Sequence, residues 1–418
     1  MKLRQITRSI TRHVMMKNYR PYEKILRHIR ARRDIWMVSQ GEYMAWWLKR
    51  ENAILEITVS DGTCRAYTSL ENAVIERFPG EFLDSPTIAY QGSGFSGEVW
   101  LTIDSELEKR ELLIELLKRE GILNFRIAEE GKFLLSQAEM GPLLEDIHIK
   151  LHQRGRFFEE DVSAVRQVVI NKLAVYNLPL LRIWYHPRVD GIVTKAVFSP
   201  RHDVDRAITN LARTRVLEKK YSVSSTLYLR AFGPFYGDQE IREAATVPWC
   251  SEVALHGEFV TNAHKYGNEL KAAEAEKGHL ERLIGRPILG VCMHGGELAF
   301  NTSESTRGVV QRAGFLYDTT SRMQYYFPFK QVVNGQLSKS YCLVHALGDI
   351  KIPVSRNYGR TFYEKTIAKM DEVYEQNGIF VLMLHPVYFG FWAYLFKPRN
   401  WVPLLRFFSG YVRQRSWC

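Results

Sequence analysis

The 418-residue chain is poor in cysteine: Cys64, Cys250, Cys292, Cys342 and Cys418 are scattered and form no close pair. That excludes a disulfide scaffold and a thiolate zinc centre, and it fits a reducing compartment. There is no low-complexity linker. The N-terminus, MKLRQITRSITRHVMMKNYR, has neither a continuous apolar stretch nor a small-residue cleavage site, so no secretory leader is expected and a cytoplasmic location is. Acidic residues are scarce at both ends. Residues 1–50 carry 13 lysines and arginines against Glu23, Asp34 and Glu42, and the tail from Lys397 has five cations and no acid. The whole chain is at +11, so the body between these ends is mildly acidic. Basic ends attract anionic surfaces. Here they read first as solvated helical faces, with weak membrane-surface contact as the alternative and no nucleic-acid partner expected.

Only one long run lacks fixed charge, the 19 residues Gly378–Phe396, followed by Lys397 and Arg399. His385-Pro386 stands in its middle, where it would break a spanning helix and bury a polar ring. Ile379–Leu384 is therefore expected as a short buried strand, and no transmembrane span is expected.

With 46% apolar and 25% charged residues, the chain can bury real cores. The second half alternates between two patterns. β-rich apolar runs fall at Gly191–Phe198, Val223–Leu229, Ser251–Leu255, Ile288–Met293, Phe315–Asp318, Leu343–Val354 and Ile379–Leu384. Helical patterns lie between most of them, at Ala207–Lys220, Asp238–Thr246, Asn268–Ile284, Thr306–Ala313 and Thr361–Gln376. Repeated strand–helix units imply parallel strands joined by crossovers. The fold expected is α/β: a distorted seven-stranded (β/α) barrel over residues 181–418, preceded by an α+β accessory region over residues 1–180, with a doubly wound sheet as the alternative. In the first half Tyr22–Arg33, Gln40–Arg50, Ser105–Glu120 and Glu159–Val175 read as helices and Ala53–Val59 as a strand.

Polar residues gather where these strands end. The first runs into Ser199-Pro200-Arg201-His202-Asp203-Val204-Asp205. The third runs into His256-Gly257-Glu258, with His264 beyond, the fourth into Cys292-Met293-His294-Gly295-Gly296, the fifth into Tyr317-Asp318-Thr319-Thr320, and the last into Leu384-His385-Pro386. In a parallel barrel all such ends open on one face, where active sites are built. Carboxylates and histidines converging there can bind a divalent cation and supply an acid and a base. Each piece has a plainer reading. Asp-x-Asp can cap a helix, His-Gly-Gly can be a turn, and a lone histidine can be structural.

From about Leu181 to Phe396 the chain resembles a metal-dependent polysaccharide deacetylase-type domain, in a divergent branch with Arg-His-Asp-x-Asp as its first motif. Glu-Val-Ala-Leu-His-Gly-Glu (252–258) resembles the family's second motif, and Cys-Met-His-Gly-Gly, Tyr-Asp-Thr-Thr and Leu-His-Pro its later ones. The resemblance implies hydrolysis of an N-acetyl amide on a carbohydrate. It places Asp203 as general base, Arg201 as the residue holding it, and His385 as general acid. Asp205 and His256 become metal ligands, while His294, Tyr317 and Asp318 are assigned to substrate binding. Zinc is the default cation for such a set, and manganese, cobalt or iron would also fit. The family usually has a second metal-binding histidine four residues after the first, and here Val260 occupies that position. Glu258 or His264 are the candidates to replace it. The arginine-bearing third motif is absent.

Asp34 to Trp47 is similar to the closing helix region of the same kind of domain, with no catalytic motifs before it. This suggests the tail of an upstream domain and a partner encoded by a neighbouring reading frame. Two further classes stay open: a non-catalytic carbohydrate-binding or assembly module, and a protein acting through its basic ends.

Overall fold

The computed structural model describes residues 19–53, 181–205, 211–246 (save 234), 252–294, 304–320, 326–349 (save 334 and 335) and 358–386, with residue 208 and parts of 55–136. The basic stretches 1–18 and 397–418 and the expected helices Ser105–Glu120 and Glu159–Val175 lie outside the described residues.

Among the described residues, ten strands share one sheet. In chain order the strands of this sheet and the helices around it are α1 (19–31), β1 (Ile35–Met37), α2 (Gln40–Asn52), β2 (Ala196–Val204), α3 (Leu211–Tyr221), β3 (Thr226–Leu229), α4 (Asp238–Ala245), β4 (Glu252–Gly257), α5 (Phe259–Tyr266) and α6 (Glu269–Ile284). There follow β5 (Gly290–Met293), α7 (Glu304–Arg312), β6 (Tyr317–Asp318), β7 (Phe329–Val333), β8 (Gln336–Cys342), β9 (Leu347–Gly348), α8 (Tyr358–Glu375) and β10 (Ile379–Leu384). The sheet runs β7-β8-β6-β5-β4-β3-β2-β10-β9, with β1 also on β2. Every pairing is parallel except β7 with β8. This is the parallel-dominated sheet of a distorted (β/α) barrel, as the strand–helix alternation implies.

Side chains alternate across each strand, so one parity faces the barrel interior and the other the helices. Val197, Tyr228, Ala254, Cys292, Tyr317 and Val381 share one core cluster with α2. Leu227, Leu229, Val253, Leu255 and Val291 pack instead with residues of α4 and α6, and Phe198, Phe380 and Leu384 with α1 and α8. The interior parity then carries on through Arg201 and Asp203 on β2, His256 on β4 and Met383 on β10. The intervening His202 faces outward and meets Glu218 of α3 at 2.6 Å, both fully buried.

β2 is longer than its apolar run suggests, continuing through Pro200 to Val204. A proline inside a central strand removes a ladder hydrogen bond. Here β1 pairs with residues 196–198 and β3 with residues 201–204, so Pro200 falls in the gap between two neighbours on that edge.

Residues before 181 also take part in the barrel core. β1 belongs to the barrel sheet, and Tyr22, Ile25, Leu26 and Ile29 of α1 are buried against Phe198, Phe380 and Leu384. Ser39 caps α2 through a reciprocal box with Glu42. The first turn of α2 then enters the N-terminal end of the barrel. Gln40 N–H donates to Thr226 Oγ1 at 2.9 Å and Gly41 N–H to Glu252 Oε2 at 2.7 Å. A carboxylate at a helix N-terminus meets unpaired N–H groups and the positive end of the dipole. These contacts join residues 186 and 211 positions apart, and local periodicity carries no sign of them.

Ile379–Leu384 is a six-residue strand, buried throughout. Among the described residues no helix is long and apolar enough to cross a membrane.

Candidate metal-binding and catalytic site

Asp205 follows the end of β2, His256 is the penultimate residue of β4, and His294 follows the end of β5. Although far apart in sequence, their donor atoms converge. His256 Nε2 is 3.0 Å from Asp205 Oδ1, and His294 Nε2 is 3.5 Å from the same oxygen. The two rings lie edge to face at 5.1 Å. One donor atom from each of the three residues lies within 4.8 Å of the others.

The other ring nitrogens are held too. His256 Nδ1 is 3.1 Å from the Cys292 carbonyl, which only accepts, so Nδ1 carries the hydrogen and donates it. His294 Nδ1 is 3.0 Å from Glu258 Oε1. Metal-binding histidines characteristically fix their outer nitrogen on a carbonyl or carboxylate in this way, leaving the inner lone pair for the cation. A divalent cation fits the set: two imidazoles and a carboxylate on hydrogen-bonded supports, with room in a tetrahedral shell for water or substrate. Burial alone would raise the Asp205 pKa. The hydrogen bond and charge of His256, with the charges of His385 and His294, outweigh it and hold the carboxyl below its usual range. Burial pushes the His256 ring down, but Asp205, Cys292 and Asp203 carry it well above the ordinary value.

Deeper in, Asp203 and Arg201 form an ion pair at 2.8 Å with side chains 3% and 1% exposed. Arg201 also donates to the Thr319 carbonyl at 2.8 Å and lies 3.1 Å from Cys292 Sγ. Burial opposes the Asp203 charge most strongly, but Arg201, His256 and His385 bring its pKa below the usual value. Its Oδ2 faces Arg201, while its buried Oδ1 has no hydrogen-bond partner among the described residues. Leaving a buried carboxylate oxygen unpaired costs free energy, so this atom is a marker for an external partner.

Opposite stands His385, just past β10, with Nε2 4.0 Å from Asp203 Oδ2. Asp349, just past β9, takes both ends of it: Oδ1 lies 2.7 Å from His385 Nδ1, and Oδ2 accepts the His385 backbone N–H at 2.6 Å. Burial lowers the imidazole pKa, but Asp349, with Asp203 and Asp205, raises it to about 9.

Asp203, His256 and Cys292 form a second cluster compact enough for a cation. The Arg201 guanidinium touches both Asp203 and the Cys292 sulfur, so a cation there would meet a fixed positive charge. The Asp205 set is favoured.

Five placements differ from expectation. His264 is exposed on α5 and bonded to its own helix through the Thr261 carbonyl at 2.8 Å, and it is in neither group of converging donors. Glu258 stands behind His294, paired with Arg230 at 2.6 Å, with its pKa held low against burial by His294 and Arg230. Tyr317 is fully buried and donates to Glu252 Oε1 at 2.6 Å, at the α2 end of the barrel. Asp318 is buried and accepts the Thr320 N–H at 2.9 Å, closing a turn. Tyr317 thus ties the barrel floor, and Asp318 holds the turn to Thr320. His294, expected at substrate, lies among the donors. Val260 packs against the outer core.

Asp349 carries little local signal because it lies inside Leu343–Val354, a run that reads as one strand, whereas among its described residues only Leu347–Gly348 is strand. The only signal was the Gly348-Asp349 step, since both residues are depleted from strands.

No family model matches the chain, and no curated protein does. Among solved structures, a protein described as a polysaccharide deacetylase from Mycobacterium smegmatis is 17% identical over 52% of this chain and 83% of its own, with a TM-score of 0.37. PuuE allantoinase is 16% identical over 52% and 84%, with a TM-score of 0.35. The polysaccharide deacetylase Bc1974 from Bacillus cereus is 13% identical over 46% and 79%, with a TM-score of 0.27.

Proposed function

We propose that the chain is a divalent-cation-dependent hydrolase of acetamido groups on a carbohydrate, with Asp205, His256 and His294 as the cation's protein ligands. The observation that carries this reading is the convergence of those three donors beside the unpartnered Asp203 Oδ1 and the Asp349-held His385. The carbohydrate class comes from the Arg-His-Asp-x-Asp and Leu-His-Pro resemblance. Zinc is the default for two imidazoles and a carboxylate, and manganese, cobalt and iron share the donor preference.

When bound, the cation would polarise the amide carbonyl and acidify a water. The remaining work falls to side chains. Asp203 Oδ1 is the proton acceptor for the attacking water, and Arg201 keeps that carboxylate ionised and turned toward the site. His385, protonated at neutral pH through Asp349, donates to the leaving nitrogen as the C–N bond breaks. Water adds its oxygen to the acyl carbon, one of its protons passes to Asp203 and the His385 proton to the amine. Acetate and a free amino sugar leave.

The test is metal analysis of the purified chain together with acetate release from N-acetylated amino-sugar oligomers. About one equivalent of divalent metal and chelator-sensitive acetate release are expected. A chain that takes up no divalent metal would leave the non-catalytic carbohydrate-binding module as the reading.

A further inference from the structure

We infer that Glu258 is a positioning residue for His294, clamped by Arg230, and that this pair lets a histidine from β5 take the ligand place that Val260 cannot fill. The inference rests on the proposed ligand set. His294 is the least anchored of the three ligands: its side chain is 39% exposed, against 3% for His256 and 21% for Asp205. It also lies beyond the end of its strand, held through its backbone N–H on the Gly257 carbonyl at 2.8 Å. An exposed imidazole free to rotate would lose rotamer entropy on binding a cation, and a fixed partner on Nδ1 removes much of that loss.

Glu258 provides the partner, and its two carboxylate oxygens are divided. Oε1 faces His294 Nδ1 at 3.0 Å, and Oε2 accepts from Arg230 Nη2 at 2.6 Å. With both oxygens engaged, Glu258 is placed to orient rather than to ligate. Its backbone N–H donates to Glu276 Oε2 of α6 at 2.9 Å, and Glu276 Oε1 accepts from Asn262 at 2.7 Å. Arg230, just past β3, reaches the Asp205 carbonyl at 3.4 Å. The Tyr236 hydroxyl ties the Arg230 N–H to the Val204 carbonyl at 2.8 and 2.7 Å. The ends of β2, β3, β4 and β5 are thus linked behind His294.

The experiment measures cation affinity of the full chain by competition with a chromophoric chelator, and the visible spectrum of the cobalt(II)-loaded protein. Glu258→Ala is expected to weaken binding roughly 10–100-fold, the usual effect of losing an outer-shell partner, with the cobalt band pattern unchanged. Because Glu258 acts through His294, the double variant Glu258→Ala/His294→Ala should bind no more weakly than His294→Ala alone. Glu258→Gln, which keeps the shape, carries the same cycle if the alanine variant does not fold, as judged by circular dichroism. Unchanged affinity in the Glu258 variants overturns the inference. So does a double variant that loses the sum of both effects, or a cobalt spectrum showing a lost ligand, since either would make Glu258 itself a ligand. A parent chain that binds no cobalt overturns the ligand set first and the inference with it.

Discussion

Asp349 binds His385 twice, through its backbone N–H at 2.6 Å and through Nδ1 at 2.7 Å. One carboxylate therefore sets both the position of the ring and its charge. With Nδ1 taken by Asp349, Nε2 is the ring nitrogen turned toward Asp203, 4.0 Å from its Oδ2. Removing the carboxylate should change the pH dependence of the chemistry as well as its rate.

In Asp349→Asn the attraction that raises the His385 pKa toward 9 is lost, while burial, which lowers it, remains. The acid form is then exhausted at lower pH, so the alkaline limb of the acetate-release profile should move down. A pH–kcat/KM profile of parent and variant tests this. An unmoved alkaline limb would remove His385 as the acid.

Asp203→Asn and Asp205→Asn should fail differently. Asp205 is placed as a ligand, and an amide oxygen is a poorer donor to a divalent cation, so metal content and turnover should fall together. Asp203 is placed as the base, so its variant should keep its metal and slow by roughly 10²–10⁴-fold. Metal analysis alongside acetate release separates the two. Full metal in both would make Asp205 a helix cap or turn residue.

Gly41→Ala should destabilise the fold without touching the chemistry. A Cβ on Gly41 would lie 2.6 Å from Glu252 Oε1, and that carboxylate is held by Thr226, Tyr317 and the Gly41 N–H itself. Forcing atoms into such a site costs about 1–3 kcal/mol. Thermal or urea unfolding measures it, and metal affinity of the folded protein should be unchanged because α2 enters the opposite end of the barrel. A wild-type unfolding midpoint would show that the α2 plug is not tightly packed.

His186 should limit stability in acid. It is fully buried and bonded to the Asn377 carbonyl at 2.7 Å, and burial, helped by Arg50, lowers its pKa to about 3. Below its unfolded value of about 6.5 the unfolded chain takes up a proton that the folded chain refuses. The stability present above pH 6.5 is then lost as pH falls toward 3, at up to about 1.4 kcal/mol per pH unit. Urea midpoints at pH 7 and pH 5 should differ more for the parent than for His186→Gln. Equal differences would show that other groups govern the acid limb.

Elements whose evidence is local could be read from residues alone. Ile379–Leu384 is an apolar run ended by His-Pro, and it is the strand expected. Asn268 to Ile284 has a capping residue, a periodic face and a following glycine, and it is a helix with Asn268 as its cap. The motif residues Arg201, Asp203, Asp205, His256 and His385 stood out because polar groups after strands in a parallel sheet share one end. Pairings across the chain were another matter. Nothing near Ile35 announces that it lies against Ala196, nor does anything near Asp349 announce His385.

Residue type and local period thus determined the strand at Ile379–Leu384, the helix at Glu269–Ile284 and which residues carry charge or lone pairs. They did not determine β1, β7 or β8, nor that Leu343–Val354 holds a strand, among its described residues, only at Leu347–Gly348. Tertiary structure alone decided the partners: that His294 rather than Glu258 or His264 points at Asp205, that Glu258 turns to Arg230, and that Tyr317 serves the barrel floor. The reason is geometric. The direction of a side chain is set by strand parity and by neighbours brought in by crossovers of about 20 residues or more. Such contacts depend on how the whole sheet is ordered, which no window of sequence contains.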